Sequence, residues 1–421
     1  MTKGPANPFG HPLSKEAKSL VNDVRLKLSQ PIHPKFDTDF NVYRFVLAAE
    51  RHHKKEKDIV DAAAKALNNH LRFRKALGLD TEEVVSFDEN PIFTKRLMPK
   101  GELLDVTDSS NRLLWYIDYA SITVESIAHT IPSSFTCKCQ FWQFEQMLRK
   151  VMAHEEKTGK FSSLRHIIDL SGYDLNPFTM LFLSSGTMAY YTQLFHFEHY
   201  PELVSPCETV NIPSWVHMPY RLIKGMMPAG FTDRFKLYDK KFLDILQEEI
   251  NIKHIPTTLG GENQDIRCIP ALKVPEEKYW QPSENEIIDL LENFHVPARR
   301  SRHFTVDAKE GETLSWYYRT DGDLIFWRVF QPHHETKPED KELDHENFEL
   351  VYPFIKVAAK LVHERDSVKC NKEGRYFFLF CNKHAWLSKK TADVMLTVTN
   401  SDGERRRVFA DGTHAKCDLV V

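Results

Sequence analysis

The chain has 421 residues, of which 42% are hydrophobic and 28 are Phe, and its formal net charge is -3. This length exceeds one ordinary core and predicts two or three domains. The near-neutral charge argues against general nucleic-acid binding, which leaves a basic footprint. No apolar run of about 18 residues occurs, so any membrane contact is expected to be peripheral.

The opening stretch carries Pro5, Pro8 and Pro12 and no apolar run of signal-peptide length. With the Cys residues scattered, reduced thiols and a cytoplasmic location with transient membrane association are expected. Residues 14–29 predict a helix, with Ser14 as its N-cap and Leu20, Val24 and Leu28 on its apolar face. Pro31 and Pro34 end it. Asp39 to Glu50 is a second helix, capped by Asp39, with Phe40, Tyr43 and Leu47 at helical spacing. A third runs from about Lys55 to Leu77, favoured by Ala62, Ala63, Ala64 and Ala66.

An alternation of strand and helix follows. Strands are predicted at Leu113–Asp118, Arg165–Leu170, Thr209–Ile212 and Phe235–Tyr238. Helices are predicted at 139–157, Pro177–His196, Pro219–Met227 and Lys240–Ile250. Such an order implies an α/β unit, a mixed or parallel sheet covered by helices. After Gly261, four prolines punctuate a linker-like stretch holding one short helix, Glu284–Phe294. Short strands then recur at His303–Val306, Leu314–Arg319, Leu324–Val329, Phe354–Val362, Arg375–Asn382 and Asp393–Thr399, the pattern of an all-β sandwich. The polar stretch 331–347 reads as an exposed loop. The expected organisation is a helical module over 1–80, an α/β domain over 81–265, a linker over 266–297 and a β-sandwich over 298–421.

The segment 165–261 is the most informative. It holds a strand ending Asp169-Leu170-Ser171-Gly172, then Tyr200-Pro201-Glu202, then Ile212 and Pro213 after Asn211, an apolar helix from Tyr220 to Pro228, and Gly260-Gly261. This ordered set resembles the CRAL-TRIO lipid-transfer family, and Tyr43-Arg44-Phe45-Val46-Leu47 resembles the core of that family's N-terminal helical module. The stretches Leu314–Tyr318 with Thr320–Phe326, and Gly374–Asn382, resemble a hairpin and a strand of the GOLD domain, with Cys381 where Asp is usual. Together they resemble the CRAL-TRIO proteins that carry a C-terminal GOLD domain.

The resemblance implies a pocket for one hydrophobic lipid, closed by a helical gate. The gate maps to Leu222, Ile223, Met226, Met227 and Phe231, with Pro228 and Gly230 as a hinge. For members that bind phosphatidylinositol-type lipids, the resemblance implies head-group contacts at Arg44, Glu202 and Arg234, with Lys236 nearby. The pocket strand would present Leu164, His166 and Ile168. Family members that bind phosphatidylcholine place small hydroxyl residues there, so a neutral isoprenoid ligand such as a sterol precursor, squalene or tocopherol stands beside a phospholipid. The expected function is to bind such a lipid and transfer or present it between membranes. The alternative is a lipid-sensing adaptor whose GOLD domain contacts a protein partner.

No G-x-S-x-G elbow, Walker loop, H-E-x-x-H or kinase motif occurs. Asp169 and His166 lie three apart on one strand and so point to opposite faces. Neither an enzyme activity nor a metal or cofactor is expected, beyond the bound lipid itself. The basic clusters at Arg51–Lys55, Arg299–Arg302 and Arg405–Arg407 are candidates for contact with anionic membrane.

Overall fold

The computed structural model describes residues 8–122, 124–172, 194–212, 220–221, 230–238, 241–282, 285–321, 325–332 and 348–419. The chain divides into two compact units. The first comprises Met1–Leu71, Glu83–Val124 and Cys139–Lys273; the second comprises Arg72–Glu82, Glu125–Lys138 and Val274–Val421.

In the first unit, helix α1 (Lys15–Leu26) starts at Ser14, whose hydroxyl accepts from the Ala17 N–H at 3.1 Å. Helix α2 (Asp39–Glu50) is capped not by Asp39 but by Thr38, which accepts from the Asn41 N–H at 3.0 Å. Asp39 instead occupies the first helical turn and pairs with Arg25 at 2.6 Å. Helix α3 (Glu56–Ala76) follows, with the short α4 (Pro91–Thr94), in which Pro takes the first position as it can without losing a helical hydrogen bond. Strand β1 (Glu102–Thr107), strand β2 (Leu113–Asp118), helix α5 (Val124–Ala128), the long α6 (Ser133–Thr158) and strand β3 (Leu164–Asp169) come next, with α5 beyond Val124 and the start of α6 belonging to the second unit. A π-helical turn at Leu194–His199 precedes β4 (Val204–Val210), α7 (Phe231–Arg234), β5 (Phe235–Leu237) and α8 (Phe242–Gln247).

The five strands form a mixed sheet in the order β1-β2-β3-β4-β5. β1 runs antiparallel to β2, and the other pairs are parallel. Strand β1 escaped the sequence reading because ELLDVT at a sheet edge is half polar and barely buried. Pro206 falls where β4 slips register against β3, between the Leu164–Val204 and His166–Cys207 pairs. A bulge is where a strand tolerates a residue without an N–H. One face of the sheet packs Leu114, Tyr116, Ile167 and Val210 against Phe242, Leu246, Ile250, Ile255 and Leu259. The expected helix Pro177–His196 lies outside the described residues except for its last positions, which fall in the π-helical turn. Of the expected helix Pro219–Met227, only Tyr220 and Arg221 are described, and both are helical.

In the second unit, the helix expected over Glu284–Phe294 separates into α9 (Asn285–Asp289) and strand β6 (Glu292–Val296). Phe294 and Val296 are buried at alternate positions, the strand period, and β6 pairs with a later strand. Strands β7 (Ser301–Ala308), β8 (Thr313–Thr320), β9 (Ile325–Pro332), β10 (Phe348–Val357), β11 (Glu364–Lys369), β12 (Gly374–Cys381), β13 (Lys390–Thr399), β14 (Arg405–Val408) and β15 (His414–Lys416) follow. Among the described residues they form two antiparallel sheets, β10-β9-β12-β7 and β11-β8-β13-β14-β15, with β6 on β13. The pair β8 and β9, expected as one hairpin, falls in different sheets. Trp316 of β8 meets Trp327 of β9 at 4.9 Å, and Tyr318 of β8 meets Phe380 of β12 at 5.3 Å. Each strand turns its aromatic residues toward the other sheet, and burying those rings outweighs local pairing of neighbours in sequence.

Within this unit the buried carboxylate of Glu364 on β11 caps the start of α6. It accepts from Ser133 Oγ at 2.7 Å, from the Ser134 N–H at 3.0 Å and from Ser134 Oγ. An anion suits the positive end of a helix.

Candidate functional site

The second face of the mixed sheet carries the site. Parallel register places Trp115 of β2 beside His166 of β3, His166 beside Cys207 of β4, and Cys207 beside Phe235 of β5. The Trp115 and His166 rings stack at 3.5 Å and 6°. One step along, Ile117, Ile168, Thr209 and Leu237 form the next rank. Burial falls along β3 in the same direction: Leu164 is fully buried, His166 nearly so, and Ile168 only half. Phe235 and Leu237 are also half-buried. At this edge Phe231 stacks on Phe235 at 4.4 Å, and Phe197 lies 6.3 Å from each. The carboxyl ends of parallel strands are where open α/β sheets receive ligands.

Polar atoms are set into this apolar face. Cys207 Sγ lies 3.7 Å from His166 Nδ1. Burial pushes the Cys207 thiol up to about 12, with Glu208 adding to the effect, so it stays protonated. Burial, and then the neighbouring His196, hold the His166 imidazole well below its ordinary value. Burial, and then Arg234, hold His196 at about 3. Both rings are therefore neutral near pH 7. Among the described residues, His166 Nε2, His196 Nδ1 and Arg234 Nε are each buried without a hydrogen-bond partner. Buried polar atoms are rarely left so.

A charged cluster adjoins the aromatic edge. Glu202, which is 0% exposed, holds a left-handed φ of 58° in the turn before β4. Its carboxylate accepts from Arg51 Nε at 2.9 Å and Arg51 Nη2 at 3.0 Å, a forked pair, and lies 3.5 Å from Arg234 Nη1. Arg234 also donates to the His196 carbonyl at 2.9 Å and stacks 4.0 Å over Phe197. Burial lowers the Arg234 pKa; Glu202 opposes this and Arg51 adds to it. Gly230, with φ of 76°, lets the backbone approach Arg51, since a Cβ there would come within 2.8 Å of the guanidinium.

Residues 99–261, which contain this sheet, match the family model of the CRAL/TRIO domain. The chain carries a CRAL/TRIO domain. Residues 13–82 match a domain of unknown function (DUF8435), and residues 278–407 match the model of an F28H7.8-like C-terminal domain. The chain is 23% identical over 389 residues to the CRAL-TRIO domain-containing protein F28H7.8 of Caenorhabditis elegans, covering 91% of each chain. It is 23% identical to Protein ctg-1 of the same organism, covering 78% of this chain and 85% of that one. Among solved structures, the crystal structure of Sfh5 aligns with a TM-score of 0.37 and 14% identity, over 60% of this chain and 90% of that chain.

Within the CRAL/TRIO domain and its helical neighbour, the residues singled out from sequence separate into groups. Glu202 and Arg234 come together. The Arg44 guanidinium, 2% exposed, is engaged elsewhere: it pairs with Glu155 at 2.5 Å, donates to the Ser162 carbonyl at 2.9 Å and reaches only the main-chain carbonyl of Glu202, at 3.4 Å. Lys236 is exposed and, by strand alternation, faces away from Phe235 and Leu237. Leu164, His166 and Ile168 share the candidate face. Phe231 lies at its aromatic edge, whereas Leu222, Ile223, Met226 and Met227 lie outside the described residues.

Two features of the first unit were missed. Arg51, read from sequence as part of a surface basic cluster, holds Glu202; its spacing of seven from Arg44, two helical turns on one face, was the available signal. On the opposite face of the sheet, buried Arg165 makes a fork to Glu208 at 2.6 and 3.1 Å and reaches Glu249 at 2.5 Å and Asp108 at 3.3 Å. Burial alone would pull its pKa down, but the hydrogen bonds and charges of these carboxylates raise it. Among the described residues no group of His, Cys, Asp or Glu is placed to hold a metal ion, and no helix is long and apolar enough to cross a membrane.

Proposed function

We propose that the chain binds one hydrophobic lipid against the His166 face of its mixed sheet and transfers or presents it between membranes. The observation that carries this reading is the half-buried apolar end of the sheet at Ile168, Phe235 and Leu237, with the buried Nε2 of His166 beside it and unpartnered among the described residues. A protonated Cys207 thiol donating to Nδ1 would leave the imidazole proton on Nε2, a donor for one hydroxyl or carbonyl oxygen of an otherwise apolar ligand. Such a site favours a neutral lipid with a single polar end over a zwitterionic head group. Leu222, Ile223, Met226, Met227 and Phe231 form the gate in this reading, their flexible Met side chains repacking between closed and open states.

The need for a carrier is physical. A free chain of sixteen carbons in water costs roughly 12 kcal/mol, at about 0.8 kcal/mol per methylene, so unassisted exchange is slow. For a phosphoinositide ligand the head-group candidates are Arg234, Glu202 and Arg51. Arg44 and Lys236 would have to leave their present settings to join them. The C-terminal unit is read as a GOLD-type sandwich, from the strand motifs around Trp316 and Phe378.

The test is uptake. Purified protein is incubated with liposomes carrying a labelled sterol precursor, tocopherol or phosphatidylinositol and then re-isolated. The reading expects about one lipid per chain, with preference for a neutral ligand. It also expects about tenfold weaker loading in His166→Ala, from a lost buried hydrogen bond, and failure of Met226→Asp to retain cargo. No uptake of any of the three by the unaltered protein would contradict it.

A further inference from the structure

We infer that the loop between β12 and β13, with the turn between β6 and β7, forms a membrane-docking surface for anionic bilayers. The loop presents Trp386 and Leu387, 78% and 96% exposed. Isolated exposed apolar residues are ordinary, but an adjacent Trp and Leu at a loop tip, ringed by cations, are a different matter. The Arg299 guanidinium sits 4.6 Å over the Trp386 ring. Residues 382–390 read NKHAWLSKK and residues 297–302 read PARRSR; neither stretch holds an Asp or Glu. Arg299, Arg300, Arg302, Lys383 and Lys389 are all exposed.

The two stretches are tied into one surface. Asn382 donates through Nδ2 to the carbonyls of Val296 at 3.1 Å and Ser388 at 3.0 Å. Its main chain exchanges hydrogen bonds with the neighbouring turn, accepting from the Arg299 N–H at 3.1 Å and donating to the Arg300 carbonyl at 2.9 Å. The tip is thus presented on a clamped base.

The occupant that fits is a bilayer with anionic lipid. Trp prefers the membrane interface, Leu reaches the acyl boundary, and each basic residue near an anionic surface strengthens binding by about fivefold. A protein partner of the same chemistry would be an acidic surface with an apolar notch; exposed cations on both stretches beside an exposed Trp and Leu, with no acidic residue among them, favour the extended, uniformly charged plane of a membrane. This surface gives the lipid-carrier reading its membrane contact and rests on that reading for its purpose.

The test is co-sedimentation of the full chain with vesicles of phosphatidylcholine, with and without phosphatidylserine. The unaltered protein is expected to bind only the phosphatidylserine vesicles, and less as salt rises. Trp386→Ala with Leu387→Ala should weaken binding about tenfold, and Lys383→Glu with Lys389→Glu at least about twentyfold. Quenching of tryptophan fluorescence by brominated lipid should be lost in Trp386→Phe. Binding unaffected by both double variants, or no preference for phosphatidylserine, would overturn the inference. So would a dimer of the unaltered protein that both variants dissolve, which would assign the surface to a second copy. Lipid cargo should be the same in these variants as in the unaltered protein. Absence of cargo with docking intact would instead remove the carrier reading and leave the docking surface standing.

Discussion

At the scale of single residues, the chemistry of this chain is decided by burial. Arg165 anchors three carboxylates on the face of the sheet away from the candidate site, and Glu208 among them is itself buried. Removing the arginine would strand buried negative charge, so Arg165→Met should destabilise the protein by about 3–5 kcal/mol in denaturant titration. The histidines act in the opposite sense. Burial holds His196 and His199 at about 3, below the ordinary imidazole value of 6.5. The unfolded chain binds protons on these groups below 6.5 while the folded chain does not. Their contribution is therefore intact above pH 6.5 and is lost as pH falls toward 3. His196→Phe should lose less stability than the unaltered protein between pH 7 and about pH 4.5, measured as the shift in urea midpoint. An equal loss would mean that His196 accepts a proton in the folded state. The sequence pointed to Glu202 and Arg234 but not to Arg51 as their partner, because a cluster of neighbouring cations looks like solvated surface until a buried carboxylate is found beneath one of them.

At the scale of elements, what could be read from sequence was what repeats. The apolar spacing of Leu20 and Val24, the short apolar and aromatic run Leu113–Asp118 and the strand around Ile168 all correspond to observed elements. What could not be read depended on partners distant in sequence. The edge strand β1, the strand β11 with exposed polar residues, and the small strands β14 and β15 are strands only because a neighbour pairs with them. The separation of β8 from β9 is similar, since the choice of sheet depends on aromatic residues across the core. The pair Gly260-Gly261 has a clear local reason. Gly260 takes φ of 86°, and a Cβ on Gly261 would come within 2.1 Å of the Ile255 carbonyl oxygen. Gly261→Ala should therefore cost more than about 2 kcal/mol in thermal unfolding, beyond an ordinary surface substitution. Glu364→Ala, which leaves the first turn of α6 without its acceptor, should cost about 1–3 kcal/mol.

At the scale of the whole molecule, a CRAL/TRIO domain and, among the described residues, two antiparallel sheets lie on one chain that aligns over 91% of its length with a CRAL-TRIO domain-containing relative at 23% identity. The ordered motifs from Asp169 to Gly261 made the first of these legible. The candidate face was only partly so: Leu164, His166 and Ile168 were marked, while the stack of His166 on Trp115 and the contact with Cys207 required the sheet register. The central claim is that this face holds a lipid. The measurement that tests it most directly is mass spectrometry of lipids extracted from the full chain purified from a eukaryotic host. The account predicts one dominant lipid at close to one per chain, apolar along most of its length and with one polar end. A protein that carries no lipid above the level of a control purification, and takes none from liposomes, would contradict it.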